Sequence, residues 1–160
     1  MKRILKVWIE KRQDESPDTS HLGEYGSEAK SEFAINRKER GDWERNQFEW
    51  FNPNHQNYAG EKRTIIEKYC EEDYRRMESL NRGDWYYLGV TAKAKVQLTG
   101  DLWQTITSGG LWGVESDSGP NYLKTIADEQ LAELRGQLLA IGFSAADCDK
   151  AFATVGESVK

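Results

Sequence analysis

The sequence is poor in the residues that most often carry chemistry: 160 residues contain two histidines and two cysteines. Cys70 and Cys148 lie far apart, with no CxxC or Cys/His spacing around either. A zinc-type ligand set is therefore missing, and both thiols are expected as reduced packing residues. His21 and His55 stand in polar stretches without a partner at ligand spacing. Long apolar runs are absent too, far short of the roughly 18 residues that a spanning helix needs. The opening MKRILKVWIEKRQDE has too short an apolar part for a signal peptide, and no small-residue cleavage site follows it. Together these absences lead to the expectation of a cytoplasmic protein with no membrane partner, no metal and no cofactor.

Charge and aromatic residues are plentiful. Charged residues make up 31% of the chain and aromatics 11%, including six tryptophans, and the formal net charge is -5. The charge is unevenly spread. Lys2, Arg3, Lys6, Lys11 and Arg12 crowd the start against Glu10 alone. Past residue 100, Asp101, Glu115, Asp117, Asp128, Glu129, Glu133, Asp147, Asp149 and Glu157 outnumber Lys124, Arg135, Lys150 and Lys160. That half should repel nucleic acid and attract a basic groove on a partner.

Periodicity predicts an α+β domain spanning 1–160. It has one antiparallel sheet of five or six strands, two longer helices packed on one face, and a short C-terminal helix. RILKVWIE reads as the first strand, and residues 14–31, with His21 and Tyr25, as a long polar loop. EFAINR and QFEWF read as short strands. Residues 61–80 repeat apolar positions at helical spacing through Tyr69, Cys70, Tyr74 and Met77. WYYLGVTAKAKVQL alternates strictly: Tyr86, Leu88, Val90, Ala92, Ala94, Val96 and Leu98 on one face, Trp85, Tyr87, Thr91, Lys93, Lys95 and Gln97 on the other. A helix opens at Pro120 behind a Ser118 or Asp117 cap and stops at Gly142, and Ser144 with Asp147 opens a short last helix. GESVK is expected to fray.

TSGG, between LWQTIT and LWGVES, raises the possibility of a phosphate-binding loop. Such a loop needs a helix directly after its glycines, whereas a second strand follows here, so a tight hairpin is expected. Catalysis finds no set of residues. Ser108 is not in a GxSxG elbow and no histidine lies nearby in sequence. Glu115 and Asp117 are acids without a second cluster. The RGDW repeated at residues 40–43 and 82–85 has unmatched flanks and reads as turn punctuation.

KSEFAINR, NRGDWYYLGVTAKAKV and TITSGGLWGVESDS together resemble a group of small proteins of phages and mobile genetic elements. The resemblance implies an accessory protein of a mobile element, acting in the cytoplasm of a bacterial host. The expected function is non-enzymatic: inhibition of a nucleic-acid-handling host defence complex, in the manner of anti-CRISPR or antirestriction proteins. Candidate contact residues are Trp43, Trp50, Trp85, Tyr87, Glu115, Asp117, Asp128, Glu129 and Glu133. Two alternatives stand beside it. One is a small enzyme on a nucleotide or nucleic acid, built around His21, Glu115 and Asp117. The other, direct nucleic-acid binding by the face of Trp85, Tyr87, Lys93 and Lys95, ranks below a protein partner, since a covering segment that buries the two aromatics is the favoured reading of that face.

Overall fold

The computed structural model describes residues 2–42 and 47–159, the last three by backbone only. In chain order the elements are β1 (Arg3–Gln13), β2 (Gly23–Gly26), β3 (Ile35–Asn36), β4 (Trp50–Pro53), a 3-10 turn (His55–Tyr58), α1 (Arg63–Asn81), β5 (Tyr87–Thr99), β6 (Leu102–Thr107), β7 (Leu111–Glu115), α2 (Pro120–Ala140), α3 (Ala145–Phe152) and β8 (Gly156–Val159). The fold is α+β. Its strands divide between a five-stranded and a three-stranded sheet. Residues fall into two compact units, Met1–Glu15 with Tyr86–Lys160, and Ser16–Trp85.

In the first unit β5 is the central strand. It pairs antiparallel with β1 along nearly its whole length, from Arg3 opposite Gln97 to Gln13 opposite Leu88. Its alternation works as expected over most of its length. Leu88, Val90, Ala92, Ala94 and Val96 are buried with Val7 and Ile9 of β1, against Ile126, Leu134 and Leu138 of α2 and Cys148 of α3. These α2 residues recur at four- and eight-residue steps, so one stripe of the helix meets the sheet. Truncating a buried leucine such as Leu134 to alanine costs about 2–5 kcal/mol in comparable cores. The Ser144 cap forms, its Oγ accepting from the Asp147 N–H at 3.1 Å. The expected Ser118 or Asp117 cap does not, because helical geometry begins one residue later and Gly119 takes the cap position. Of GESVK, expected to fray, Gly156–Val159 instead add a parallel strand beside β1, from Trp8 opposite Gly156 to Lys11 opposite Val159, and Lys160 lies outside the described residues.

The hairpin at TSGG needs correction as well. β6 and β7 both pair with β5, β6 along Lys93–Thr99 and β7 along Tyr87–Val90. They follow one another along the same edge of β5 instead of folding back on each other. Gly110, at φ +82°, supplies the left-handed step of the offset between them.

The second unit packs α1 on the sheet β2-β4-β3. Phe51 at its centre touches the rings of Tyr25 and Tyr74, with centroids 5.7 and 5.5 Å away. Cys70, Tyr74 and Met77 are the buried stripe of α1, whereas Tyr69 stays exposed. Glu32–Arg37, read as a strand, contributes only Ile35 and Asn36 to the sheet. The polar stretch 14–31 is ordered through β2, whose Gly23 to Gly26 pair with Pro53 to Trp50.

Candidate nucleic-acid interface

Partners in adjacent antiparallel strands point to the same side of a sheet. In the first unit α2 and α3 cover the side of Val90 and Ala92. The opposite side is built row by row from the register. Arg12 lies opposite Gly89, Glu10 opposite Thr91, Trp8 opposite Lys93, Lys6 opposite Lys95, and Arg3 opposite Gln97. Across the other edge of β5 the rows continue to Thr107, Thr105 and Trp103, which face Lys93, Lys95 and Gln97. Strand alternation thus lines up basic side chains and tryptophans on one surface.

Three tryptophans mark this surface. Trp103 is 58% exposed and Trp112 49% exposed, and Trp8 is half-buried. Each has a basic neighbour. The Lys95 ammonium lies 3.7 Å from the centre of the Trp103 ring, and that of Lys6 5.5 Å from the Trp8 ring. Trp112 lies over Gly89, in the row of Arg12: a Cβ at Gly89 would fall 2.3–2.5 Å from its ring atoms. Only glycine leaves room for the indole there. Glu115 falls on this side through its row with Tyr87; the surface's second acid, Glu10, is buried and ion-paired to Lys93 at 2.5 Å, with Arg12 at 3.6 Å. It offsets part of the local charge and fixes the Lys93 side chain.

Trp112 is held from behind by the loop that precedes it. Ser108 is buried; its Oγ accepts from the Ala92 N–H at 2.9 Å and donates to Gln130 Oε1 at 2.7 Å. The Gly110 N–H donates to the same Gln130 oxygen at 2.8 Å, and the Gly109 N–H to Glu133 Oε1 at 2.7 Å. A carboxylate already accepts from the N–H that an anion would need. The loop is therefore a brace and not a phosphate cradle.

The sequence-selected contact residues fare unequally. Trp85 and Tyr87 are 2% and 3% exposed, so they leave the surface assigned to them. Trp85 belongs to the second unit, where its indole N–H donates to Ser79 Oγ at 2.8 Å and the Arg76 guanidinium lies 3.6 Å over the ring. Lys93 and Lys95 stay on the open side as expected. Trp50 is half-buried in β4, and Trp43 lies outside the described residues. Glu115 is half-buried at the end of β7 opposite Tyr87, and Asp117 is exposed in the turn after it. Asp128 accepts from Lys124 at 2.6 Å, Glu133 holds the loop, and Glu129 is exposed on α2. Asp147 and Asp149 are likewise engaged, by Ser144 and Arg135. Sequence reading overlooked Trp8, Trp103 and Trp112. The alternation of Trp8 with Lys6 and of Trp103 with Thr105 and Thr107 was visible, but Trp112 has no such pattern, and assigning all three to one surface needs the strand register.

A cleft of about 280 Å³ in the second unit is lined by Ser20, Glu24, Lys30, Asn52, Asn54 and His55 among others. Its groups are committed to structure: Asn52 bridges the Lys30 N–H and the Glu28 carbonyl, and Lys30 pairs with Glu24. His21 is exposed. Among the described residues, no group of three histidine, cysteine or acidic side chains converges as a metal site. No helix among them is long and apolar enough to cross a membrane. Comparison with protein-family models, curated proteins and solved structures gives no match, and the functional reading rests on the geometry.

Proposed function

We propose that the protein binds nucleic acid through the open side of its larger sheet. One observation carries this reading: Arg3, Lys6, Arg12, Lys93 and Lys95 share that side with Trp8, Trp103 and Trp112, while the acids of α2 and α3 belong to the covered side. Net charge misleads here because most of it belongs to residues 16–85, where fifteen acids face eleven bases; the rest of the chain is nearly neutral, with twelve acids and eleven bases. Basic side chains neutralise phosphates and release counterions, and indoles offer flat apolar surface to bases. Glu10 pairs closely with Lys93 and more loosely with Arg12, which leaves Arg3, Lys6 and Lys95, with Arg12 in part, for phosphate.

Fluorescence anisotropy with labelled oligonucleotides between about 50 and 200 mM salt tests this. With three to four phosphates neutralised, log K against log salt should fall with a slope of about -2 to -3, and K6A/K95A should flatten it by about 1.4. Absence of binding at the lowest salt would sink the reading.

A second reading is inhibition of a host defence complex. The resemblance to mobile-element proteins and the exposed Asp117, Asp128 and Glu129 support it. Pull-down from a host carrying defined defence complexes tests it, and unaffected complexes with no stoichiometric partner would remove it.

A further inference from the structure

Resting on the nucleic-acid reading, we infer that the ligand is an unpaired strand laid along a track from Trp112 through Trp8 to Trp103. A duplex hides its base faces in the stack and presents edges and phosphates. Indole rings laid against a sheet have little to grip on a duplex, whereas an unpaired strand exposes the faces they need. Trp112 is built for this: it lies on Gly89, and its loop is fixed by Gln130 and Glu133. Trp103 carries the Lys95 ammonium on one ring face and is more than half exposed, so one residue pair serves a base and a phosphate together.

The register gives the track its length. Gly89, beneath Trp112, precedes Lys93, the row of Trp8, by four residues, or about 13 Å of strand; one inter-strand step makes the separation about 14 Å. From Trp8 to Trp103 there are again four residues along β5, now with two inter-strand steps, or about 16 Å. The track is thus about 30 Å along its path and bends at Trp8, running from the β7 edge of β5 to β1 and back to β6. A stacked strand rises about 3.4 Å per nucleotide and would need about nine nucleotides to cover it. An extended strand needs fewer, with about four as the lower end of known single-strand footprints. Bases between the tryptophans pass over Thr91, Thr105 and Thr107, side chains too short to stack, so readout by sequence is weak.

The test uses the whole protein and a series of oligothymidylates and oligouridylates from about 2 to 15 nucleotides, alongside blunt duplexes, read by tryptophan quenching and anisotropy. Affinity should climb with length and level off between about four and nine nucleotides, with the duplex bound more weakly. W103A and W112A should each lower affinity for the plateau oligomer about 5- to 100-fold, and G89A, which displaces the Trp112 ring without removing it, should reproduce the W112A loss. Circular dichroism confirms that each variant is folded. Equal affinity for duplex, no plateau within the series, or folded W103A and G89A proteins that bind like the parent would overturn the track and leave nucleic-acid binding standing. No binding of any oligomer or duplex at low salt would overturn both.

Discussion

Arg37 and Glu78 offer the sharpest test of how the second unit is held together. Arg37 is 0% exposed and Glu78 4% exposed. The guanidinium Nε donates to Glu78 Oε1 at 2.6 Å and Nη2 reaches Oε2 at 3.3 Å. Nη1 donates to the Phe48 carbonyl at 2.7 Å, Nη2 to the Asp42 carbonyl at 2.8 Å, and the group stacks 4.5 Å over the Tyr25 ring. Tyr25 Oη donates to Glu78 at 3.0 Å, and burial with the Glu78 charge pushes this phenol up, so it remains a donor. Arg37→Leu leaves a buried carboxylate that keeps the hydrogen bond from the Tyr25 hydroxyl but loses its counter-ion, and the Phe48 and Asp42 carbonyls lose the guanidinium as a donor. Removing one member of such a pair costs about 3–5 kcal/mol, a large fraction of the 5–15 kcal/mol typical of a domain. Arg37→Lys should cost nearly as much, since one ammonium cannot span Glu78, Phe48 and Asp42 together. R37L/E78L should cost less than the sum of its single variants, because no isolated charge remains. Urea unfolding followed by fluorescence and circular dichroism measures the parent, R37L, R37K, E78L and R37L/E78L. A cost below about 1 kcal/mol for Arg37→Leu, the scale of a surface pair, would refute the reasoning.

Three further outcomes follow from contacts described above. Gln130→Leu strips the acceptor from Ser108 Oγ and the Gly110 N–H; it should cost about 2–4 kcal/mol in urea unfolding and weaken oligonucleotide binding by releasing Trp112, while Gln130→Glu keeps an acceptor and most of both. Burial, then the Asp73 charge, pushes the Cys70 thiol up to about 11; at pH 8 its thiolate fraction is roughly 200-fold below that of an ordinary cysteine, so Ellman's reagent should react slowly until the protein is unfolded. Because the neutral thiol is favoured in the fold, this contribution is complete below about pH 8.5 and lost as pH rises towards the folded value. The hydrogen bond from Arg40 holds the Glu71 carboxyl below its ordinary range, opposed by burial; its contribution is present above about pH 4.3 and lost as pH falls through the lowered value, so R40M should destabilise at pH 7 and converge on the parent in acid.

Much of the fold was legible because local chemistry and tertiary packing agree. Leu88 through Val96 alternate in sequence and in burial, the α1 and α2 stripes meet their sheets, and the Ser144 cap forms as its spacing predicts. The failures have physical causes. TSGG has the composition of a hairpin, but Gln130 and Glu133, some twenty residues away, bind its backbone and turn it into an offset. GESVK has no pattern of its own, and β1 supplies the pairing. Trp85 and Tyr87 stand in phase with Lys93 and Lys95, yet β5 begins only at Tyr87 and both aromatics are buried. Period-two alternation sorts side chains between two faces; it does not say how far along the strand each face stays open.

The same limit explains why Trp85 and Tyr87 are buried while Lys93 and Lys95, in phase with them, keep partial exposure. An exposed tryptophan on a strand is costly to keep in water, and Trp103 and Trp112 are exposed on neighbouring segments along one edge of β5. If they served only as loose edge residues, neither the Gly89 seat under Trp112 nor the Lys95 ammonium over Trp103 would be needed. Packing energy alone would favour a side chain at residue 89, since glycine inside a strand forfeits roughly 0.5–1 kcal/mol against alanine. G89A therefore separates the two explanations: a merely structural glycine would change stability in proportion to binding, whereas a glycine that seats a stacking ring leaves the fold standing while affinity for an unpaired strand falls.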